Sequence, residues 1–400
     1  MRCEYFDDGR CRSCTFLRTP YPEQLATKVR ARRELLTSVP AGAWLEPVAS
    51  ADEGFRNKAK MVVAGRTGAP TLGILDPAGA GVDLRGCHLY PPPITEALPV
   101  VADMIARAGL VPYDVPGRRG ELKHVLVTVS PAGELMMRFV LRSRDQLGRI
   151  RRHLPRLLSD LPNLAVVTVN LLPAHVALLE GEEEIVLTER SALPMRLSLP
   201  GGPLDLELPP RSFFQTNTAI AEAMYGQAAA WAAEIGPGTA WDLYCGVGGF
   251  ALAVAKVGTG AGEGATADAT VGAGAARSPR VVGIESSPDA VAGARAAAAR
   301  GGVADRVTFA DGDATAWALA SSSGAPDLVV VNPPRRGLSE ELAGRLEGSG
   351  AGHVLYSSCN ATTLARDLGR MPSLAPVAAR LFDMFPHTAH DEVMVLLERV

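Results

Sequence analysis

The chain has 400 residues, 47% of them apolar, which is enough for two or three domains with buried cores and too apolar for a largely disordered protein. No run approaches the ~20 continuous apolar residues of a membrane span. The opening Met1-Arg2-Cys3-Glu4-Tyr5 lacks the apolar stretch of a signal peptide. A soluble cytoplasmic protein is expected, its thiols reduced or metal-bound rather than paired.

The net charge of −3 conceals an asymmetry. Residues 1–160 carry 24 Lys and Arg against 17 Asp and Glu, whereas residues 161–400 carry 16 against 26. The excess gathers around Lys28, Arg30, Arg32 and Arg33; Arg56, Lys58 and Lys60; Arg118, Arg119 and Lys123; and Arg149, Arg151, Arg152 and Arg156. Any one cluster reads as a solvated helix face. Four in one half of an acidic protein point to a phosphate backbone as partner.

In chain order, the segment 1–90 holds four of the six cysteines. Its pattern predicts a helix over 21–36 and short strands over 60–64 and 71–75. Pro91-Pro92-Pro93 marks a boundary. The segment 91–205 reads as mixed α/β: a helix over 94–108, strands over 124–130 and 135–141, a basic helix near 145–158, and strands over 165–170 and 184–188. It carries no recognisable chemistry.

The third segment, 206–400, is the most regular. A helix over 218–234 follows the capping candidates Thr216 and Asn217. Strands (240–244, 280–285, 306–309, 327–332, 353–356) then alternate with helices (250–257, 288–300, 339–347, 362–368), the pattern of βαβ units in a doubly wound, mainly parallel sheet. Two closing strand-like runs, 380–384 and 392–398, are expected to pair antiparallel at the sheet edge. Residues 258–279, nearly all Gly, Ala and small polar, read as a flexible loop.

Cys359 stands out. It ends the run Val354-Leu355-Tyr356-Ser357-Ser358-Cys359-Asn360, at a strand's carboxyl end, where open α/β sheets bind ligands. Asp242-Leu243-Tyr244-Cys245-Gly246-Val247-Gly248-Gly249-Phe250 joins another strand to a helix, its glycines permitting a sharp turn close to a ligand. Glu285 ends the next strand, 21 positions after Asp242 once the 22-residue loop is set aside, the usual spacing for a carboxylate that binds ribose hydroxyls. A Gly-x-Gly-Gly turn after an aspartate suits S-adenosylmethionine methyltransferases better than dinucleotide enzymes.

Val331-Asn332-Pro333-Pro334-Arg335-Arg336-Gly337 sets Asn332 at a further strand end, with two prolines stiffening the exit. Glu392, just past His387 and His390, is a carboxylate available as a general base. Cys3, Cys11, Cys14 and Cys87 suit either a structural zinc or an iron–sulfur cluster, and their chemistry alone leaves the two even.

Together these segments, with Ser212-Phe213-Phe214-Gln215-Thr216-Asn217 and Gly54-Phe55-Arg56-Asn57-Lys58-Ala59-Lys60, resemble the S-adenosylmethionine-dependent RNA uracil-C5 methyltransferases over essentially the whole chain. The likeness is to the subgroup that acts on 23S ribosomal RNA and carries a [4Fe–4S] cluster. It implies a Rossmann-like methyltransferase domain with an antiparallel edge, a central α/β domain contacting RNA, and an N-terminal iron–sulfur segment. It also implies Cys359 as nucleophile and Glu392 as base. Gln215, Tyr244, Glu285 and Asn332 would contact S-adenosylmethionine, and Phe213, less directly, the flipped base. Cys3, Cys11, Cys14 and Cys87 would hold the cluster. The partner would be 23S ribosomal RNA, the protein a monomer away from membranes. Two other readings stand beside this one: an RNA-binding iron–sulfur protein with an inactive methyltransferase domain, and a methyltransferase of amides or DNA bases, which has little use for Cys359.

Overall fold

The computed structural model describes residues 1–258, 278–321 and 324–400. All but the ends of the small-residue segment 258–279 lie outside them. The chain opens with one helical turn, α1 (Glu4–Asp7), and helix α2 (Tyr21–Leu35). Strands β1 (Lys58–Arg66), β2 (Ala69–Leu75) and β3 (Gly81–Asp83) precede helix α3 (Pro92–Arg107). Then come β4 (Leu122–Val129), β5 (Leu135–Leu141), α4 (Leu147–Asp160), β6 (Leu164–Leu171) and β7 (Glu183–Val186).

These seven strands form one sheet in the order β3-β2-β1-β4-β5-β6-β7. It is antiparallel except where α4 carries the chain from β5 to a parallel β6. Strands on both sides of Pro91-Pro92-Pro93 share this sheet, and the prolines start α3, whose first-turn N–H groups need no partner in the helix. Alternate residues Val125, Met137, Phe139 and Val167 face Leu98, Ile105, Ile150 and Leu157 of α3 and α4, all fully buried.

A hairpin of β8 (Leu193–Leu199) and β9 (Gly202–Leu208) leads to α5 (Thr218–Ile235). The remaining elements are β10 (Thr239–Leu243), α6 (Gly249–Ala255), β11 (Arg280–Glu285), α7 (Pro288–Arg300), β12 (Val307–Asp311) and α8 (Ala314–Ala320). They continue as β13 (Leu328–Val331), α9 (Glu340–Gly348), β14 (His353–Ser358), α10 (Ala361–Gly369), β15 (Leu374–Phe382) and β16 (Glu392–Arg399). The second sheet runs β12-β11-β10-β13-β14-β16-β15, parallel through β14 and antiparallel at β16 and β15, the expected edge arrangement.

Both faces of this sheet are covered, so its central strands are apolar throughout. In β13, Leu328 and Val330 point into one core with Phe250 and Leu355. Val329 and Val331 point into the other with Tyr356 and Leu364. The predicted elements recur within a few residues of their expected ends, save that β15 begins six residues earlier than the run at 380. The β8–β9 hairpin and α8 had no counterpart among them. The hairpin's inward residues Leu193, Met195, Leu197, Leu204, Leu206 and Leu208 are all buried, an alternation that was readable beside Gly201-Gly202.

Candidate functional site

The carboxyl ends of the parallel strands β10, β11, β13 and β14 form one rim, and the order in which strands are added reverses between β10 and β13, where open α/β sheets bind ligands. Leu243 is in register with both Ile284 and Val331, and Val331 with Tyr356. Tyr244, Glu285, Asn332 and Ser357 therefore leave neighbouring strands at the same level, and Cys359 stands two residues further along the rim. Because β16 runs the other way, its first residue, Glu392, comes to this rim too, one step beyond the Ser358–Val393 pair.

The turn after β10 is built from left-handed residues: Tyr244 (φ 69°), Gly246 (φ 54°) and Gly248 (φ 85°). Only glycine adopts this without strain, and Tyr244 is held there by its N–H, which donates to Ile284 O at 3.0 Å. A Cβ on Gly249 would strike the Tyr225 ring at 2.4 Å, so that glycine lets α6 approach α5. Beside Gly246 there is open space. Its N–H donates to Glu285 Oε2 at 3.1 Å, while Glu285 Oε1 accepts from Ser287 N at 3.0 Å. The carboxylate is thereby aimed along the rim with acceptor capacity to spare. Asp242 Oδ2 accepts from Ala251 N at 2.8 Å, and burial holds this carboxyl up at about 7. The turn and Glu285 fit a nucleoside-bearing methyl donor.

Asn332 donates to Ser357 Oγ at 3.4 Å, tying β13 to β14. Beyond it, Asn360 Nδ2 and Thr363 Oγ1 donate to Arg335 O at 2.9 and 3.3 Å. The same Asn360 caps α10 by accepting from Thr362 N. Asp367, fully buried, accepts from Leu338 N and from Tyr356 Oη, each at 2.8 Å, and pairs with Arg366. Gly337 passes so close that a Cβ would meet Asp367 Oδ2 at 2.4 Å. Asp367 thus anchors the loop that carries Arg335, and no sequence motif drew attention to it.

The Arg335 charge acts on both Cys359 and Glu392. Burial pushes the Cys359 thiol above its ordinary value, the Glu392 charge adds to this, and Arg335 opposes it through charge and a hydrogen bond. Burial pushes the Glu392 carboxyl up to about 8, with Asp391 adding and Arg335 opposing. Glu392 is 4% exposed, and among the described residues its Oε2 has no hydrogen-bond partner. A half-buried thiol and a buried carboxyl held up at about 8 thus stand at adjoining strand ends, groups able to add to a substrate and to take a proton from it.

The loop between β9 and α5 approaches this rim. Phe213 is 69% exposed, whereas Phe214 and Gln215 are buried. Asn57, buried ahead of β1, donates to Gln215 O at 2.9 Å and Thr218 Oγ1 at 2.8 Å, so the first sheet holds the loop in place.

Away from the rim, Cys3, Cys11, Cys14 and Cys87 line one cavity of about 180 Å³ with Arg56 and Tyr90 among its walls. Burial pushes the Cys14 thiol up to about 12, with the neighbouring Cys87, Cys11 and Cys3 adding. Four thiols so disposed repel as thiolates unless a cationic centre joins them, so the donor set fits a cluster. Among the described residues, no group of three or more His, Cys, Asp or Glu is arranged for a single metal ion.

The basic clusters divide. Arg30, Arg33, Arg118, Arg119, Arg149, Arg151, Arg152 and Arg156 are exposed. Lys28 and Arg32 instead pair with Asp383 and Asp391, and Lys123 Nζ donates to Ala174 O. Among the described residues, no helix is long and apolar enough to cross a membrane.

The chain superimposes on the Pyrococcus abyssi tRNA (uracil-54, C5)-methyltransferase solved with S-adenosyl-L-homocysteine, with a TM-score of 0.74 over 96% of this chain and 85% of that one, at 22% identity. The fold is that of the S-adenosylmethionine-dependent methyltransferases. The model of the tRNA (Uracil-5-)-methyltransferase family matches residues 321–400, the stretch that holds Asn332, Arg335, Cys359 and Glu392. The 23S rRNA (uracil(747)-C(5))-methyltransferases RlmC of Halothiobacillus neapolitanus and Cronobacter sakazakii are 47% and 45% identical, each over 100% of both chains. The chain belongs to the family of these RNA uracil-C5 methyltransferases.

Removing the Asp367 carboxylate leaves a buried N–H and hydroxyl unpaired and Arg366 without its partner. Asp367→Ala is expected to cost about 3 kcal/mol. Differential scanning calorimetry should show a lowered Tm, and a Tm equal to wild type would count against this anchoring role.

Proposed function

We propose that the protein transfers a methyl group from S-adenosylmethionine to C5 of uridine 747 in 23S ribosomal RNA, the substrate named for its relatives. The observation that carries this reading is the convergence of Cys359, Glu392 and Arg335 on the rim beside the 242–250 turn. Gln215, Tyr244, Glu285 and Asn332 hold the donor, Glu285 through the ribose hydroxyls. When bound, S-adenosylmethionine supplies an electrophilic methyl group.

Uracil C5 is a weak nucleophile, and the chain's own residues correct this. Cys359 loses its proton and its thiolate adds to C6, forming an S–C bond and sending electrons toward C5 and O4. Arg335 and the amino terminus of α10, which begins two residues after Cys359, favour the thiolate. C5 then takes the methyl group, whose bond to the donor's sulfur breaks and leaves that sulfur as a neutral thioether. Glu392 removes the C5 proton, the C5–C6 double bond reforms, and the S–C6 bond breaks to return the thiolate. The target base leaves its stack to reach the thiol, and the exposed Phe213 ring offers it a stacking face.

The exposed arginines of α4 and of the 118–119 turn supply phosphate contacts. Functional labour divides along the chain: cysteine-bearing residues 1–90, RNA-contacting residues 91–205, and methyl transfer in 206–400. In this reading the protein acts on its RNA as a monomer in the cytoplasm. Cys3, Cys11, Cys14 and Cys87 hold a [4Fe–4S] cluster; their shared cavity supports this.

Cys359→Ala should abolish methylation of 23S RNA while leaving donor binding, read by calorimetry, within about twofold of wild type. Turnover in that variant would exclude the covalent route. Glu392→Gln should trap a covalent RNA–protein adduct that carries the methyl group, visible as a shifted band on a denaturing gel.

Glu392 acts only when ionised, and its carboxyl lies up at about 8. Decay of the adduct in a single turnover should therefore quicken as pH rises, reach half its limit near 8 and level off above it. Asp391→Asn removes a charge that raises Glu392, so the rise should move to lower pH. A flat profile would point to another base.

Anaerobically purified protein should show a broad visible absorbance and about four irons per chain. Cys14→Ser should remove both. Stoichiometric zinc without that absorbance would replace the cluster by a zinc site.

A further inference from the structure

The segment that brings the chain from β15 to Glu392, residues 383–391, is held from outside by one face of α2. Gln24, Lys28 and Arg32 recur at four-residue spacing and so stack along that face. Lys28, 3% exposed, donates to Asp383 Oδ1 at 2.6 Å, Phe385 O at 3.0 Å and His390 O at 2.9 Å, spending all three ammonium protons on the loop. Arg32 Nε donates to both oxygens of Asp391, at 2.9 and 3.1 Å, and its Nη2 to Ala389 O at 3.0 Å.

Gln24 grips the middle of the loop. Its Oε1 accepts from His387 N at 2.9 Å, and its Nε2, which donates to Phe16 O and Thr19 O at 3.1 and 2.7 Å, lies 3.2 Å from His387 Nδ1. Because a carbonyl oxygen only accepts, the ring carries a proton on Nε2, which donates to Asp52 O at 2.8 Å. His387 is thereby kept in a left-handed conformation (φ 64°) that a residue other than glycine seldom adopts.

A buried ion pair such as Lys28–Asp383 adds little net stability over an apolar pair of the same volume, because desolvating both charges offsets their attraction. Its geometry, in contrast, is demanding. Asp391 is the residue directly before Glu392, so whatever fixes Asp391 fixes the start of β16 and the direction of the Glu392 carboxyl.

We propose that Gln24, Lys28 and Arg32 are positioning residues for Glu392, one face of α2 setting where the carboxylate stands relative to the C5 proton of the substrate. This rests on the reading of Glu392 as the base. The role is specific to one step: thiol addition and methyl transfer do not need Glu392, whereas release of the product does. Loosening the clamp therefore slows elimination and lets the methylated covalent adduct accumulate. A fault of general stability lowers the amount of active enzyme and leaves the adduct fraction unchanged.

The test compares Lys28→Met, Gln24→Leu, Lys28→Arg and Glu392→Gln with wild type, using full-length protein, S-adenosylmethionine labelled in the methyl group and a 23S RNA fragment. Lys28→Met and Gln24→Leu should lower kcat about 10- to 100-fold, the scale of an ångström-sized misplacement. KM for RNA and for the donor should change less than about threefold. Both variants should accumulate methylated adduct on denaturing gels, and Lys28→Arg should recover part of kcat. Gln24→Leu removes no charge and decides the matter should Lys28→Met fail to fold. If Glu392→Gln traps adduct while the folded α2 variants do not, the positioning role is overturned and the base assignment stands. If Glu392→Gln traps none, both fall.

Discussion

The site depends on the reversal of one strand. In an all-parallel sheet only carboxyl ends collect at the binding rim, and each contributes the residue that follows it. Here β16 is inserted antiparallel between β14 and β15, so an amino-terminal residue, Glu392, joins the rim beside Cys359. The pairing of Ser358 with Val393 fixes how far along the rim it stands. A slip of one residue would turn Glu392 to the other face of the sheet and leave the thiol without its partner. The buried alternation of Val393, Val395 and Leu397 against one core and Met394 and Leu396 against the other resists such a slip.

That juxtaposition sets the electrostatics. Burial raises both acids and the Glu392 charge raises the thiol further, so the two do not ionise cheaply together, and the Arg335 charge lowers the cost for whichever does. The proposed chemistry asks for this alternation: a thiolate early, a carboxylate late. Asp367 keeps Arg335 there by holding the loop with Leu338 and the strand with Tyr356. Rigid anchoring matters because the proline exit at Pro333-Pro334 fixes the loop's direction but not its depth.

Neither half of the molecule makes the site alone. Asn57, at the start of the first sheet, holds the loop of Phe213 and Gln215. The cysteine-bearing end of the chain reaches the loop before Glu392 as well, since Phe16 N donates to His387 O at 2.8 Å only two residues after Cys14. Contacts separated by more than 350 residues in the chain, such as Lys28 with Asp383, therefore bear on the proposed base.

What could be read in the sequence is what depends on local chemistry. The alternation of elements after residue 206, the glycine turn, the spacing from Asp242 to Glu285, and the thiol at a strand end follow from backbone sterics and periodicity. So did the antiparallel edge. The β8–β9 hairpin was equally legible, since Leu193, Met195 and Leu197 alternate to one face, as do Leu204, Leu206 and Leu208. Arg335 and Asp367 looked like ordinary surface charges on a loop and a helix, and Lys28 and Arg32 like members of a basic patch. Their partners lie in distant segments, and only the packing of α2, α10 and the strand ends against one another decided which charges meet water and which meet each other.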